Sequence, residues 1–236
     1  IRRPNKPPTS GTQVFSPVLG QSTTPNFQSS FPVDTVIMGY KLGSSGYAQF
    51  SSRLTGGKYL ATSSTAAEAN AANYLWDRND GTTYGGLDSN FIGYLFKRAP
   101  GFFDVVCYTG TGSATTVAHN LGVVPELMIV KGRSLITVWS VYSAATGATK
   151  TMDISTTGAA QTLGAPWNST APTSSVFSVS SSGGVNGSGS AYVAYLFASC
   201  PGVSKVGSYT GNGTSQTINC GFAAGARFIL IKCTST

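Results

Sequence analysis

Charge is what this chain has least of: only 10% of its 236 residues are charged, and 8 acids stand against 15 bases. The formal charge of +7 therefore reflects missing acid as much as surplus base. Arg2, Arg3 and Lys6 cluster at the N-terminus and Lys97 pairs with Arg98, but no dense basic stripe is interleaved with aromatics. That pattern argues against nucleic acid as a partner. Histidine occurs once, at His119, which excludes a histidine-rich metal site and weakens any triad. Long apolar runs are missing too. The best, "AYVAYLFA" at 191–198, is strand-sized and far below the roughly 20 residues of a membrane-spanning helix. No signal-peptide pattern opens the chain. It begins with Ile instead of Met, as expected of a processed product or part of something longer.

Low charge does not mean disorder here, because apolar residues reach 41% and aromatics are spread along the chain. Gly, Ser, Thr and Ala crowd the remainder, which suits a β-rich protein with tight turns and a neutral, hydroxyl-covered surface. At this length there is ample core for one large or two ordinary domains.

The strongest signal is internal repetition. "YLFKRAPGFFDVVCYTGTG" begins at Tyr94, and "YLFASCPGVSKVGSYTGNG" at Tyr195. Tyr94 maps to Tyr195, Pro100 to Pro201, Tyr108 to Tyr209 and Lys131 to Lys232, always 101 residues apart. An upstream copy is weaker: Asp34 meets Glu126, Phe50 meets Tyr142 and Lys58 meets Lys150 at an offset of 92, and Trp76 meets Trp167 at 91. A constant offset over such lengths marks a tandem repeat. The implied units are 11–103, 104–204 and a truncated third unit at 205–236, preceded by a Pro-rich connector or docking arm at 1–10. A partial repeat leaves an apolar face uncovered, so the protein is expected to continue beyond Thr236, or another chain to complete the unit.

Apolar runs of four to eight residues bounded by turn formers read as strands: "ELMIVKG", "ITVWSVYS", "SSVFSVS", "AYVAYLF" and "RFILIKC". In "ITVWSVY", Ile136, Val138 and Ser140 face one way, and Thr137, Trp139 and Val141 the other. "TAAEANAANYLW" at 65–76 is Ala-rich. Its counterpart "TGAAQTLGAPW" contains Gly and Pro, so a loop or single turn is expected in both. The fold class follows: all-β, in tandem antiparallel β-sandwich units of about 95–100 residues, the last incomplete.

Candidate chemistry is thin. Asp77, Asp80 and Asp88 form the one acidic cluster, in "WDRNDGTTYGGLD". It suggests a calcium loop or paired glycosidase carboxylates, but the second copy has "WNSTAPTSS" there and turn formation explains it better. Under the 101-residue offset Cys107 maps to Ser208, Cys200 to Ala99, Cys220 to His119 and Cys233 to Gly132. A fold-defining disulfide or zinc site would recur with the unit, so buried free thiols are expected, with a Cys200–Cys220 pair left open. His119 reads as a turn residue in "AHNLG". The recurring Trp76/Trp167, Tyr94/Tyr195, Phe96/Phe197 and Tyr108/Tyr209 read as core in preference to sugar platforms. No catalytic, metal, cofactor or receptor-binding residue is assigned.

The phrases "YLFKRAPGFFDVVCYTGTG", "VAHNLGVVPELMIVK", "WNSTAPTSSVFSV" and "GSYTGNGTSQTINCGF" resemble a repeat of structural proteins of tailed bacteriophages, such as tail fibres, over residues 30–236. The resemblance implies a non-enzymatic virion-surface fibre involved in host attachment. A homotrimer, contacts to other tail or capsid proteins, and a host glycan or protein as receptor are implied with it. A head fibre or capsid decoration protein is the alternative. A polysaccharide-degrading fibre enzyme using the Asp77, Asp80 and Asp88 region is the second.

Overall fold

The computed structural model describes residues 6–40, 48–71, 74–85, 88–162 and 165–235. Arg2 and Arg3 of the expected arm lie outside the described residues. The protein is all-β, with antiparallel strand pairing throughout. A 3₁₀ turn at Gly11–Gln13 precedes β1 (Phe15–Leu19), β2 (Phe27–Gln28), β3 (Thr35–Tyr40), β4 (Gln49–Ser52) and β5 (Lys58–Ala61). Then come β6 (Ala69–Asn70), β7 (Tyr74–Leu75), β8 (Gly81–Tyr84) and β9 (Phe91–Phe96). The second half holds β10 (Phe103–Thr109), β11 (Thr115–Ala118), β12 (Leu127–Gly132), β13 (Ser140–Ser143), β14 (Met152–Asp153), β15 (Val176–Val179), α1 (Gly183–Asn186) and β16 (Ala191–Phe197).

Two large sheets have matching strand orders. The first runs β1-β9-β3-β4-β5-β6 and the second β10-β16-β12-β13-β14. A small sheet accompanies each, β2-β8-β7 with the first and β11-β15 with the second. The pairing matches as well: Phe15 faces Phe96 as Phe103 faces Phe197, and Thr35 faces Phe96 as Leu127 faces Phe197. Register also corrects one equivalence. Ile37 faces Phe50, and its counterpart Ile129 faces Val141, so Phe50 corresponds to Val141 and not to Tyr142. The segment joining the two strands is one residue longer in the first half.

The large sheets lie face to face. Ile37, Phe50, Leu60 and Phe96 from one share a core with Val105, Ile129, Val141, Val193 and Tyr195 from the other. The Phe50 ring sits 5.3 Å from Trp139 and 5.0 Å from Tyr195, centroid to centroid. Each outer face is covered by its small sheet: Val36, Met38 and Leu95 pack on Phe27 and Tyr74, while Met128, Tyr192, Ala194 and Leu196 pack on Val117, Phe177 and Val179. Four β layers result. Strands buried on both faces have no polar side to write, which explains the uninterrupted apolar text of "AYVAYLF". Along β16, Val193 and Tyr195 enter the shared core while Tyr192, Ala194 and Leu196 point to the opposite one, as a pleat of period two requires.

The repeated joint is a sheet-to-sheet turn. Phe102 N donates to Ala99 O at 3.2 Å and Val203 N to Cys200 O at 2.9 Å. Gly101 and Gly202 occupy the turn at φ 72° and 71°, the left-handed conformation that type II geometry demands after Pro. The first turn carries the chain from β9 in one large sheet to β10 in the other. Asp34 and Glu126 brace the same place in both halves: the Asp34 carboxylate accepts from Arg98 N at 2.8 Å, and the Glu126 carboxylate from Ser199 N.

The Ala-rich stretch forms no helix among its described residues. Ala69–Asn70 and Tyr74–Leu75 pair as strands, and Tyr74 and Trp76 are buried at strand spacing, which outweighs Ala propensity. Strand β13 starts only at Ser140, although the alternation expected before it holds: Ile136 and Val138 point outward and Trp139 inward. "RFILIKC" departs from expectation altogether. It carries no strand, and Ile229, Leu230 and Ile231 are 67%, 50% and 65% exposed. Its counterpart β12 pairs with β13 and β16, whereas 228–233 pairs with no strand among the described residues. Phe228 docks 4.7 Å from the Tyr94 ring at the margin of the shared core, and Lys232 Nζ donates to Thr156 O at 2.6 Å.

Candidate functional site

An open groove of about 660 Å³ lies where β13 and β14 meet the loop before α1. Ile136, Val138, Asp153, Thr156, Gln161 and Ser182 are among its lining residues. Sheet alternation creates it: with Trp139 and Val141 turned into the core, Ile136 and Val138 must turn out, and Ile136 is 78% exposed. Asp153 shapes the floor, its Oδ1 accepting from Ser155 N at 2.8 Å, Ser155 Oγ at 2.7 Å and Trp139 N at 3.3 Å. Hydroxyl and amide groups stand beside apolar side chains. Such a surface suits a neutral, hydroxyl-bearing ligand held by hydrogen bonds and C–H contacts.

Glu68, Arg133 and Lys131 join the two halves. Glu68 takes Lys58 at 2.7 Å and Arg133 at 2.8 Å, and its own N–H donates to Arg133 O at 2.8 Å. Lys131 is fully buried and donates to the carbonyls of Ala66 at 2.8 Å, Thr65 at 3.1 Å and Gly132 at 3.2 Å. Burial lowers its pKa to about 8, against a weaker opposing pull from Asp153. Trp139 Nε1 lies 3.1 Å from both Ala61 O and Ser64 O. The loop 61–68 of the first half is thus stitched onto 131–139 of the second. These partners are 65 or more residues apart, and no sequence spacing announces them.

The acidic cluster is dispersed into turns. Asp80 pairs with Arg78 at 2.9 Å, which holds its carboxyl below the usual range, and Asp88 accepts from Asn90 N at 2.9 Å. No group of three or more potential metal ligands forms among the described residues. His119 is a buried turn residue. Its Nδ1 accepts from Leu121 N at 3.2 Å while Nε2 donates to Thr173 O at 3.1 Å, so the neutral ring fits, and burial lowers its pKa. All four cysteines are free, including Cys200 and Cys220. Only Cys200 is fully buried; Cys107 and Cys220 are half-buried and Cys233 is exposed, in the segment that lacks strand neighbours. Trp76, Trp167, Phe96 and Tyr195 are core residues, Tyr94, Tyr108 and Phe197 are half-buried, and Tyr209 is 50% exposed. Sequence reading missed the groove; its one available signal was the outward face of "ITVWSVY".

A family model described as "Domain of unknown function (DUF7483)" matches residues 39–236, and the chain belongs to that family. No curated protein and no solved structure matches it.

Proposed function

We propose that this member of the DUF7483 family is a non-enzymatic structural protein of a bacteriophage virion, a tail fibre that takes part in host attachment. In this reading residues 11–103 and 104–204 are tandem β-sandwich repeats, each made of one large and one small sheet. The supporting observation is that the phrase "YLFKRAPGFFDVVCYTGTG", one of those that resemble phage structural repeats, and its copy at Tyr195 fall on the same place in the two halves. Both carry the strand before the Pro-Gly turn and the turn itself, and the first also carries the strand after it. Glu68, Arg133 and Lys131 brace the two halves against each other, which fits a scaffold. A homotrimer on the particle surface would present the β13–β14 groove several times over, and multivalency would raise avidity for a host glycan without any new contact.

Antibodies against the purified chain, imaged on intact particles by electron microscopy, test this reading. Label along the tail is the expected result. Label confined to the capsid would replace it with the head-fibre alternative. Release of reducing ends from host polysaccharide by the purified chain, lost in Asp80→Asn, would replace it with the enzyme.

A further inference from the structure

The repeated turn phrase differs by one residue that carries chemistry. "YTGTG" in the second unit becomes "YTGNG" after it, so Asn212 stands where Thr111 stood, and Gly213 follows it. In an Asn-Gly pair a side-chain amide and the next backbone nitrogen meet with least hindrance, because glycine has no Cβ. The chain holds two such pairs, Asn186-Gly187 and Asn212-Gly213. Their surroundings are opposite.

Asn186 is fully buried at the end of α1. Its Nδ2 donates to Ser113 O and Ser180 O, both at 2.7 Å, and its Oδ1 accepts from Thr111 N at 2.7 Å. Gly187 N is occupied as well, donating to Tyr192 Oη at 2.7 Å. Carboxamide and nitrogen are both fixed in other bonds. Asn212, by contrast, is exposed, and Gly213 N donates to no acceptor among the described residues. The Asn212 Oδ1 accepts from Thr214 N at 3.0 Å and from Thr214 Oγ1 at 3.1 Å. These donors fold the carboxamide forward along the chain and stabilise negative charge arriving on Oδ1. A Cβ at Gly213 would meet nothing within 4 Å, so no neighbour blocks ring closure.

We propose that Asn212-Gly213 is a self-modification site, which converts to aspartate and isoaspartate through a succinimide. The Gly213 nitrogen, its proton passing to solvent, attacks Cγ of Asn212. The Cγ–Nδ2 bond breaks, and Nδ2 takes up a proton and leaves as ammonia. Water then opens the succinimide ring. Cleavage of the new N–Cγ bond gives aspartate; cleavage of the original peptide bond gives isoaspartate, with the chain rerouted through the side chain. Only water is consumed. The product adds a carboxylate to a chain of 8 acids and removes one unit from its formal charge of +7.

The test incubates the full folded chain at mildly alkaline pH and follows it by peptide mapping and mass spectrometry. Asn212 should convert at least about a hundredfold faster than Asn186, which reacts only when the fold opens. Aspartate and isoaspartate should both appear at position 212, and the Asn212→Thr chain should gain no acid there. In urea, where neither pair is held, the two rates should converge. Equal rates in the folded chain would overturn the proposal, as would an Asn212 that stays intact while the urea-unfolded chain converts. Aspartate without isoaspartate would overturn it too, since direct hydrolysis needs no ring.

Discussion

The second unit and the segment after it share their phrases and differ in their fate. "VVCYTGTG" and "ELMIVK" become β10 and β12, whereas "KVGSYTGNG" and "RFILIK" stay without strands. Local propensity is similar in the two; neighbours are not. β10 and β12 lie on either side of β16, and β12 also meets β13. A strand that must be buried on both faces gains little until its neighbours arrive, because a sheet is stabilised by cross-strand pairs and not by the single strand. Strand potential written in the sequence is realised only in company.

The comparison sharpens under substitution. Trp139→Ala removes a fully buried ring from between the large sheets and should cost about 3–5 kcal/mol in urea unfolding. In the open segment Leu230→Ala, at the position that corresponds to the fully buried Ile129, should stay within about 0.5 kcal/mol. Gly110→Ala drives a methyl group into Gly187 O and should cost about 3 kcal/mol, the upper end of overpacking. Gly211→Ala meets open space and should be close to neutral. If the two glycine variants melted alike, the claimed difference in surroundings would fail.

Much of this was legible beforehand, and the limits are instructive. The 101-residue offset located the Pro-Gly turn, and the Asp34–Glu126 match located two carboxylates that brace the same backbone position. The face-to-face packing of the large sheets was not legible. An unbroken apolar run such as "AYVAYLF" says that both faces are buried but not what buries each one. The Phe50–Tyr142 equivalence failed for a related reason. One extra residue between strands leaves composition almost unchanged but moves every side chain to the other face. The Glu68–Arg133 and Lys131 contacts depend on how the halves dock, which no local pattern encodes. The groove follows from the same alternation that buries Trp139, and only the exposed Ile136 hinted at it.

Smaller effects probe the joint between the halves. Glu68→Gln weakens contacts to Lys58 and Arg133 and should cost about 2 kcal/mol, measured by chemical denaturation. The weakest effect concerns His119. Burial lowers its pKa in the folded chain, so the folded state disfavours the proton that the unfolded state accepts. Its contribution is fully present above about pH 6.5. It is lost as pH falls toward the folded value, and His119→Gln should flatten that part of the stability profile.

Hydrogen exchange of the isolated chain tests the central claim most directly. Amides of 103–109 and 127–132 should be strongly protected, while those of 206–209 and 228–231 should exchange rapidly. Equal protection of the two sets would show that the later segment pairs without its neighbours, and would contradict the claim.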